Sequence, residues 1–202
     1  MAIMKKGKAI ADKVDVVRHT KQQRAVNSIE EFRALVWGYW RQYGRHDLPW
    51  RKTKDPYRIL VSEIMLQQTQ VPRVLEKYAA FLRAFPSVQA LADATLQDVL
   101  TVWSGLGYNR RAKFLKRAAE AIVMRNKGRV PKDAVTLRSL PGIGPYTASA
   151  VLVFAYNTPD TLIETNVRAV YLHHFFPNQS KVPDRELFPY IASAAEGQDP
   201  RE

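Results

Sequence analysis

Proline and glycine divide most of this chain into pieces that are each about as long as one helix. The sequence contains 12 prolines and 9 glycines, and within most pieces the apolar residues recur every three or four positions, the spacing of an amphipathic helix. No long stretch alternates between apolar and polar residues, as a half-buried strand would. We therefore predict an all-α fold. The predicted helices cover residues 29–43, 56–70, 71–85, 87–93, 95–103, 110–126, 134–139, 146–156, 164–176 and 184–195.

The first predicted helix has both a start signal and an apolar face. Ser28 and Glu31 have the spacing of a capping box. We expect one face of the helix over 29–43 to be buried, because large apolar residues follow at helical spacing. These residues are Phe32, Leu35, Val36, Tyr39, Trp40 and Tyr43. Residues 1–27 contain seven Lys or Arg and few large apolar residues, so we expect a mobile basic tail or a frayed helix there.

The composition excludes several classes of protein. With no cysteine among 202 residues, the chain has no thiol nucleophile, disulfide scaffold or thiolate-bound metal of its own. Its longest apolar stretch, near residues 150–156, is far shorter than the roughly 20 residues of a membrane span. No apolar signal segment is visible at the N-terminus. We expect a soluble protein of one or two domains, cytoplasmic or associated with the nucleoid, with no membrane partner.

The positive charge of the chain is concentrated in two regions. The formal net charge is +12, and residues 108–138 hold ten Lys or Arg against two Asp or Glu, while residues 1–28 hold seven against two. Such clustering is typical of proteins that bind nucleic acid, although basic side chains also serve simply to keep a surface soluble. Arg110, Arg111 and Lys113 belong to the basic helix, and we expect them to contact a DNA backbone without reading its sequence.

The most specific motif of the sequence lies between two predicted helices, in Leu140-Pro-Gly-Ile-Gly-Pro-Tyr-Thr-Ala-Ser-Ala150. Gly142 and Gly144 stand one residue apart, where we expect a sharp turn with positive φ angles and no obstruction by a Cβ atom. The turn would present backbone N–H groups at the start of the next helix, a favourable place for a phosphate. An ordinary helix–helix turn is the alternative, because such turns also favour glycine.

Glu63 is the strongest candidate for acid–base chemistry. Its neighbours one helical turn away are mostly apolar, and an ionised carboxylate is unfavourable on an apolar helix face. We therefore expect the pKa of Glu63 to rise toward neutrality, so that the group can hold a proton for a leaving base. The alternative is a glutamate that extends to solvent and has no chemical role.

Glu164 is a second carboxyl group in a different setting, near the start of the predicted helix over 164–176. The helix dipole stabilises a negative charge at that end, so we expect an ionised carboxylate. Two carboxyl groups with opposed environments are what cleavage of a glycosidic bond through an oxocarbenium-like state requires. The alternative is a simple capping charge at the helix N-terminus.

Five segments together resemble a known family. Residues 140–150 resemble the helix-hairpin-helix of the base-excision DNA glycosylases. The other four segments are similar to the adenine DNA glycosylase branch of that superfamily, in the same order along the chain. They are Leu48-Pro-Trp-Arg51, Asp55-Pro-Tyr57, Ser62-Glu-Ile-Met-Leu-Gln-Gln-Thr-Gln-Val71 and Trp103-Ser-Gly-Leu-Gly-Tyr108. The resemblance covers about residues 29–176.

The resemblance implies roles for the candidate catalytic residues. Glu63 occupies the place of the family's catalytic glutamate, which protonates the departing base and assists water. Glu164, flanked by Asn166, stands where similar proteins have an aspartate, so this sequence departs from the family by one methylene. Tyr146 stands where bifunctional relatives carry a nucleophilic lysine. Since tyrosine cannot form a Schiff base with the sugar, we expect no strand cleavage; core packing is the alternative role for this tyrosine.

The resemblance also implies contacts with the lesion and with DNA. Gln67 and Gln68 match positions that take over base hydrogen bonds, and Tyr108 matches a residue that wedges between bases when a nucleotide is flipped out. Helix surface and core are the alternatives for these three. Trp50, Arg51 and Arg168 are expected near the base pocket. The hairpin residues expected to contact DNA are Leu140, Gly142, Ile143, Gly144 and Thr147.

The resemblance implies two helical lobes with a DNA-binding cleft between them. Residues 51–158 would form a six-helix lobe with the helix-hairpin-helix at about 134–156, and residues 28–50 would pair with 159–202 in a second lobe. The expected partner is double-stranded DNA with a mismatched or damaged base, bound by a monomer. We expect no cofactor, because the relatives' iron–sulfur cluster needs four cysteines, although the hairpin is compatible with a monovalent cation.

Three functions remain open at this point. The first is a monofunctional glycosylase that removes adenine paired with 8-oxoguanine or guanine. The second is a thymine or uracil glycosylase that acts opposite guanine, from a related and similarly compact branch that also has tyrosine at the place of Tyr146. The third is a protein that binds damaged DNA without catalysis.

Overall fold

A computed structural model describes residues 28–161, 163–179 and 181–201. The basic segment 1–27 lies outside the described residues. Within them the chain forms ten α-helices and one short 3₁₀ turn at Pro49–Arg51, with no strand, so the predicted all-α class is confirmed. In chain order the helices are α1 (Ile29–Tyr43), α2 (Pro56–Leu66), α3 (Val71–Ala84), α4 (Val88–Asp93), α5 (Leu96–Trp103), α6 (Arg110–Asn126), α7 (Ala134–Arg138), α8 (Pro145–Tyr156), α9 (Thr165–Phe175) and α10 (Asp184–Ala195).

Short polar side chains start many of these helices, as the sequence signals predict. The Ser28 hydroxyl accepts a hydrogen bond from the Glu31 backbone N–H, and Thr95 forms a reciprocal capping box with Asp98. Such caps satisfy N–H groups that have no partner inside the helix. One predicted end is wrong: α2 stops at Leu66 rather than at residue 70, because Gln68 adopts a left-handed φ of 54° that a helix cannot continue through.

Most of the buried apolar residues belong to one large cluster. It extends in sequence from Leu48 to Leu152 and includes the fully buried Trp103 and Phe81. Helix α2 crosses its centre and packs against α3, α6 and α8, while α4 packs along α6. We call residues 48–158 the larger lobe. Among the described residues it contains seven helices, α2 to α8.

A second, smaller cluster combines the first helix with the last two. Helix α1 packs on α10, and α9 packs on α10; we call these three helices the smaller lobe. Its buried apolar residues are Phe32, Tyr171, Phe176, Val182, Leu187 and Ile191. Because Leu48 and Trp50 pack into the other cluster, the boundary between the lobes lies before residue 48 and not after residue 50.

The apolar face of α1 is only partly buried, contrary to the sequence prediction. Phe32 is 4% exposed, whereas Tyr39 is 59% exposed and Tyr43 is 48% exposed. The smaller lobe is too small to cover the full length of this face, so packing is limited to its first turns. Separately, none of the described helices is both long enough and apolar enough to cross a membrane.

Candidate active site

The structure places Glu63 on α2, the helix at the centre of the larger lobe. Its neighbours Ser62 and Ile64 are each 1% exposed, while Glu63 itself keeps partial contact with solvent. Burial raises the pKa of Glu63 from 4.5 to about 7, because a desolvated carboxyl group disfavours its charged form. At neutral pH a large fraction of this side chain therefore carries a proton, while its partial exposure gives a ligand access to it.

Glu164 lies in the smaller lobe, as the N-cap residue of α9. Its Oε1 accepts hydrogen bonds from the backbone N–H groups of Asn166 and Val167, at 2.9 and 3.0 Å, and the Asn166 side-chain amide donates to Oε2 at 3.2 Å. These three donors and the positive end of the helix dipole favour a negative charge at this position. Asn166 therefore orients the carboxylate.

Tyr146, in the first turn of α8, is the group that relates the two carboxyl groups in space. Burial raises the pKa of Tyr146 to about 12, and the nearby negative charges of Glu63 and Glu164 act in the same direction. A charge effect of this kind decays with distance, so both carboxyl groups lie around the same phenol. The tyrosine is 41% exposed, so its ring is accessible to solvent.

The two glutamines have different surroundings. Gln67 is half-buried, and its side-chain amide donates to the Thr147 hydroxyl at 3.2 Å, so that it ties the end of α2 to the start of α8. Thr147 is buried, and its predicted contact with DNA could run only through its backbone. Gln68 is exposed and is held with a left-handed backbone, beyond the helix on which we expected it.

The hairpin between α7 and α8 has one glycine that the turn requires. Gly142 has a φ of 77°, and a Cβ atom there would lie 2.6 Å from the Cβ of Phe114, so no larger residue fits. Gly144 does not share this conformation: its φ is −82°, and it is the N-cap of α8, which no side chain caps. A Cβ atom at Gly144 would meet nothing within 4 Å, so the backbone is open to a ligand there.

Two other hairpin residues point into the protein. Leu140 and Ile143 are 3% and 5% exposed and belong to the core of the larger lobe. Their predicted contacts with DNA could therefore come only from their backbone groups. The buried side chains anchor the turn in the core. Within the turn, the Ile143 backbone N–H donates to the Leu140 carbonyl at 3.2 Å.

Tyr108 projects from the loop before α6. It is 63% exposed and has a φ of 48°, a conformation that is unfavourable for a bulky residue. The preceding Gly107 is anchored, because its carbonyl accepts a hydrogen bond from the Trp103 indole N–H at 3.0 Å. An exposed aromatic ring on an anchored loop is suited to insertion between bases.

The structure corrects the prediction for Arg111. This residue is 9% exposed, and its guanidinium donates to backbone carbonyls of α2 and of the loop before α6 rather than facing outward. The signal that could have found this is the helical spacing of Arg111, Leu115, Ala118 and Ile122, all of which lie on the buried face of α6. Charge alone does not show which way a side chain points.

Arg110 and Lys113 remain on the surface of α6. With Phe114, Leu96 and Leu100 they line an open groove of about 500 Å³ between α5 and α6, and the Arg110 guanidinium lies 5.1 Å from the Phe114 ring centre. Phe114 is also the residue that contacts Gly142. These two basic side chains therefore lie on the same part of the surface as the hairpin.

The three residues expected near a base pocket, Trp50, Arg51 and Arg168, each make contacts within the protein. Trp50 is buried, edge-on to the ring of Tyr78 at 5.4 Å, because the 3₁₀ turn directs its indole into the core. The Arg51 guanidinium lies 4.2 Å from the centre of the Trp40 ring, on α1, and so joins the lobes. Arg168 bonds to Asp184 and to the Val182 carbonyl, which holds it inside the smaller lobe.

The donor groups of the chain do not fit a cysteine-ligated cluster. The 202 residues supply no cysteine, and no group of three His, Asp or Glu side chains suited to a metal is present in the described parts of the chain.

Known proteins of similar sequence and structure are DNA repair enzymes. The chain is 38% identical over 168 residues to the thymine/uracil-DNA glycosylase of Pyrobaculum aerophilum, a match that covers 81% of this chain and 73% of that protein. It is 36% identical over 163 residues to the adenine DNA glycosylase of Buchnera aphidicola subsp. Baizongia pistaciae and 46% identical over 132 residues to that of Mycolicibacterium smegmatis. These two matches cover 80% and 65% of this chain. The chain spans about half the length of these two relatives, 46% and 45% respectively.

Among solved structures, a thermostable thymine-DNA glycosylase superposes with a TM-score of 0.75 at 27% identity, over 86% of this chain and 81% of that one. A non-covalent endonuclease III–DNA complex superposes with a TM-score of 0.68 at 17% identity, over 87% of this chain and 83% of that one, which shows the shared fold alone. The sequence pattern of the HhH-GPD superfamily of base excision DNA repair proteins matches residues 61–187, more than half of the chain. The chain belongs to the HhH-GPD superfamily of base excision DNA repair proteins.

Proposed function

We propose that this protein is a monofunctional DNA N-glycosylase, which hydrolyses the bond between a mispaired base and its deoxyribose and leaves an abasic site. The observation that carries the proposal is Glu63, a partly accessible carboxyl group whose pKa burial raises to about 7. An acid with a pKa near the working pH is suited to proton transfer. The second support is Glu164, which lies near the same tyrosine.

The two carboxyl groups would have different roles in the reaction. Glu63 donates its proton to a ring nitrogen of the base, and the electrons of the glycosidic bond leave with the base. The sugar then carries an oxocarbenium-like positive charge, which the negative Glu164 stabilises. Water attacks C1′ of the sugar, and its proton passes to the ionised Glu63, which restores the enzyme. The proton of Glu63, the negative charge of Glu164 and one water molecule account for each of these steps, and none of the steps uses a bound cofactor.

Adenine is the base that this arrangement favours. A purine leaves readily only after a ring nitrogen is protonated, whereas thymine and uracil can leave as delocalised anions and depend less on an acid. A carboxyl group that holds its proton near neutral pH therefore fits adenine better. The similarity to adenine DNA glycosylases, at 36% and 46% identity, supports the same choice. The proposed substrate is adenine opposite 8-oxoguanine or guanine.

Thymine or uracil opposite guanine is the second candidate. Its support is sequence and shape: the chain is 38% identical over 168 residues to the thymine/uracil-DNA glycosylase of Pyrobaculum aerophilum. A thymine-DNA glycosylase also superposes with a TM-score of 0.75. Release of a pyrimidine would need less proton transfer from Glu63. The two candidates therefore predict different pH dependences of the rate of base release.

The proposed DNA contacts come from three parts of the larger lobe. Backbone N–H groups at the hairpin would bind a phosphate, because the helix dipole of α8 favours an anion there. Arg110 and Lys113 would contact neighbouring phosphates, which makes affinity fall with salt. Tyr108 and Gln68, both exposed, would fill the gap left by the flipped base.

A panel of duplexes tests the proposal. Excess enzyme is incubated with A:8-oxoG, A:G, T:G and U:G duplexes and with matched A:T and C:G controls, and alkali then cleaves the strand at any abasic site. We expect cleavage in the A:8-oxoG and A:G duplexes only after alkali. Release of only thymine or uracil would support the second candidate. Binding without release from any duplex would leave a protein that only binds DNA and would overturn the proposal.

The absence of strand cleavage has its own test. Tyr146 has no amine to form a Schiff base with the abasic sugar, so borohydride should trap no covalent adduct between protein and DNA. A trapped adduct would show that another amine of the chain attacks the sugar and that the enzyme is bifunctional.

A further inference from the structure

Arg111 joins three segments that carry the candidate catalytic and lesion-contacting residues. We propose that Arg111 is a positioning residue that holds Glu63, Gln68 and Tyr108 in one fixed arrangement, so that base release and gap filling occur together. This inference rests on the proposed glycosylase function. We call the set of hydrogen bonds made by the Arg111 guanidinium the Arg111 bridge.

One side of the Arg111 bridge ends helix α2. Its Nη1 donates to the carbonyls of Ile64 and Met65, at 3.0 and 2.9 Å, and to the Gln67 carbonyl. Since α2 stops at Leu66, carbonyls of its last turn lack partners within the helix, and a cation at that end is also favoured by the helix dipole. Glu63 directly precedes the first of these carbonyls, so the bridge sets the position of the helix turn that carries it.

The other side of the bridge holds the loop before α6. Nη2 donates to the carbonyls of Leu106 and Gly107, at 3.3 and 3.2 Å, and to the Thr69 hydroxyl at 2.8 Å. The Tyr108 ring centre lies 5.4 Å from the guanidinium carbon. The same side chain thus touches the turn that contains Gln68 and the loop that presents Tyr108.

Backbone strain at Gln68 and Tyr108 indicates that the surroundings must hold them. Both have left-handed φ angles, 54° and 48°, a conformation that is unfavourable for a residue with a side chain. Such conformations persist only where neighbouring structure fixes them. The Arg111 bridge bonds to the residue immediately before each of them, Gln67 and Gly107.

Arginine suits this task better than lysine. Its planar group presents donors in a fixed fork, so the contacts made by Nη1 and those made by Nη2 keep a set distance from each other. A lysine keeps the charge but is a single flexible point donor. We therefore expect the arrangement of the three segments, and not only the stability of the protein, to depend on the guanidinium.

The test compares Arg111→Met and Arg111→Lys with Arg33→Met. Arg33 is a matched control because it makes the same kind of contact in the smaller lobe, donating to the Ala194 carbonyl at 3.0 Å and to the Glu196 carbonyl at 2.7 Å. The measurements are the single-turnover rate of base release, corrected for the fraction of active enzyme, and the ratio of affinities for lesion and matched duplexes. Loss of folded protein alone does not change either quantity.

We expect all three variants to have a lower melting temperature. The corrected rate should fall by about 10²-fold in Arg111→Met, the size of effect that a displacement of about 1 Å produces at a reacting centre. Arg111→Lys should recover only a small part of it, and both variants should lose preference for the lesion duplex. Arg33→Met should keep rate and preference close to those of the wild type. Wild-type values of both quantities in the two Arg111 variants would overturn the inference.

Two further measurements cover the remaining outcomes. If Arg111→Met does not fold, Thr69→Val removes one acceptor of the bridge at smaller cost. We expect the rate to fall in this variant too, by a smaller factor; an unchanged rate would contradict the inference.

Hydrogen exchange should quicken at residues 64–69 and 106–108 together in Arg111→Lys and in neither segment in Arg33→Met. If wild-type protein releases no base from any duplex, the proposed function fails, whereas unchanged exchange in Arg111→Lys refutes the bridge itself.

Discussion

Glu63 and Glu164 belong to lobes of very different size. The larger lobe buries thirty apolar residues in one cluster, and Glu63 lies on the helix at its centre. The smaller lobe buries six, and Glu164 lies at the exposed start of one of its helices, held by three N–H donors. One carboxyl group is thus desolvated by a core, and the other is bound by a helix end.

This difference shows how one chain can place the same residue type in two opposed electrostatic environments. A protonated carboxyl group at neutral pH requires burial, and the large core stabilises the fold enough to tolerate it. An ionised carboxylate requires donors and a favourable dipole, which a helix N-terminus in even a small lobe provides. Tyr146 lies near both carboxyl groups.

The largest expected effect is that of Glu63→Gln, which removes the proton source and keeps the shape of the side chain. General acid–base groups contribute about 10²–10⁴-fold, so single-turnover base release should fall by at least about 10²-fold while affinity for the lesion duplex stays within about twofold. An active Glu63→Gln enzyme would show that Glu63 is not the proton source, because a neutral amide cannot give up a proton.

The same variant also tests burial through stability. The pKa of Glu63 is higher in the folded chain, about 7, than the usual 4.5, so ionisation opposes folding, and stability is lost as the pH rises between these values. Glu63→Gln does not ionise and should be more stable than wild type at pH 8, by at most about 3 kcal/mol, since Glu63 keeps partial solvent contact. The gain should vanish below about pH 4.5; urea unfolding at both pH values measures it.

A smaller effect is expected for Glu164→Gln. Loss of a charge that stabilises the transition state should slow base release by about 10²-fold, and the weakened cap should lower stability by about 1 kcal/mol. Asp133→Asn is the matched control, because Asp133 caps α7 through the Thr136 N–H and lies outside the candidate site. Equal losses of base release in the two variants would mean that Glu164 acts only as a cap.

Phe32→Ala should have the smallest effect on base release and the most local effect on structure. The Phe32 ring lies 4.9 Å from Tyr171 and 5.1 Å from Phe175, so its removal should destabilise the smaller lobe by about 3–5 kcal/mol. We expect faster hydrogen exchange in α9 and α10, unchanged exchange in α2 and α3, and base release about tenfold slower. Faster exchange in both lobes would show that they unfold as one unit.

Much of the fold could be predicted from the sequence, because its signals are local. The start signal at Ser28 and Glu31 and the apolar spacing within each piece give helix bounds that agree with the structure to within a few residues. The end of α2 is the clearest exception, since nothing in the sequence near Gln68 announces a left-handed backbone. Tertiary contacts from Arg111 stabilise that turn.

The candidate site was predictable in its chemistry and less so in its geometry. The apolar neighbours of Glu63 in the sequence predicted a raised pKa, and the structure agrees. Residue type alone did not show that Trp50 and Arg111 point inward, because an aromatic or basic side chain suits DNA and a helix end equally well. For Arg111, only the helical spacing of residues 111, 115, 118 and 122 indicated that the side chain points inward.

The central claim is that Glu63 holds a proton at neutral pH because the larger lobe buries it. The most direct measurement is a ¹³C NMR titration of the glutamate carboxyl carbons of the folded protein, with the Glu63 resonance assigned by its loss in Glu63→Gln. We expect a midpoint near pH 7 for this resonance. A midpoint near 4.5, the value of an exposed glutamate, would contradict it.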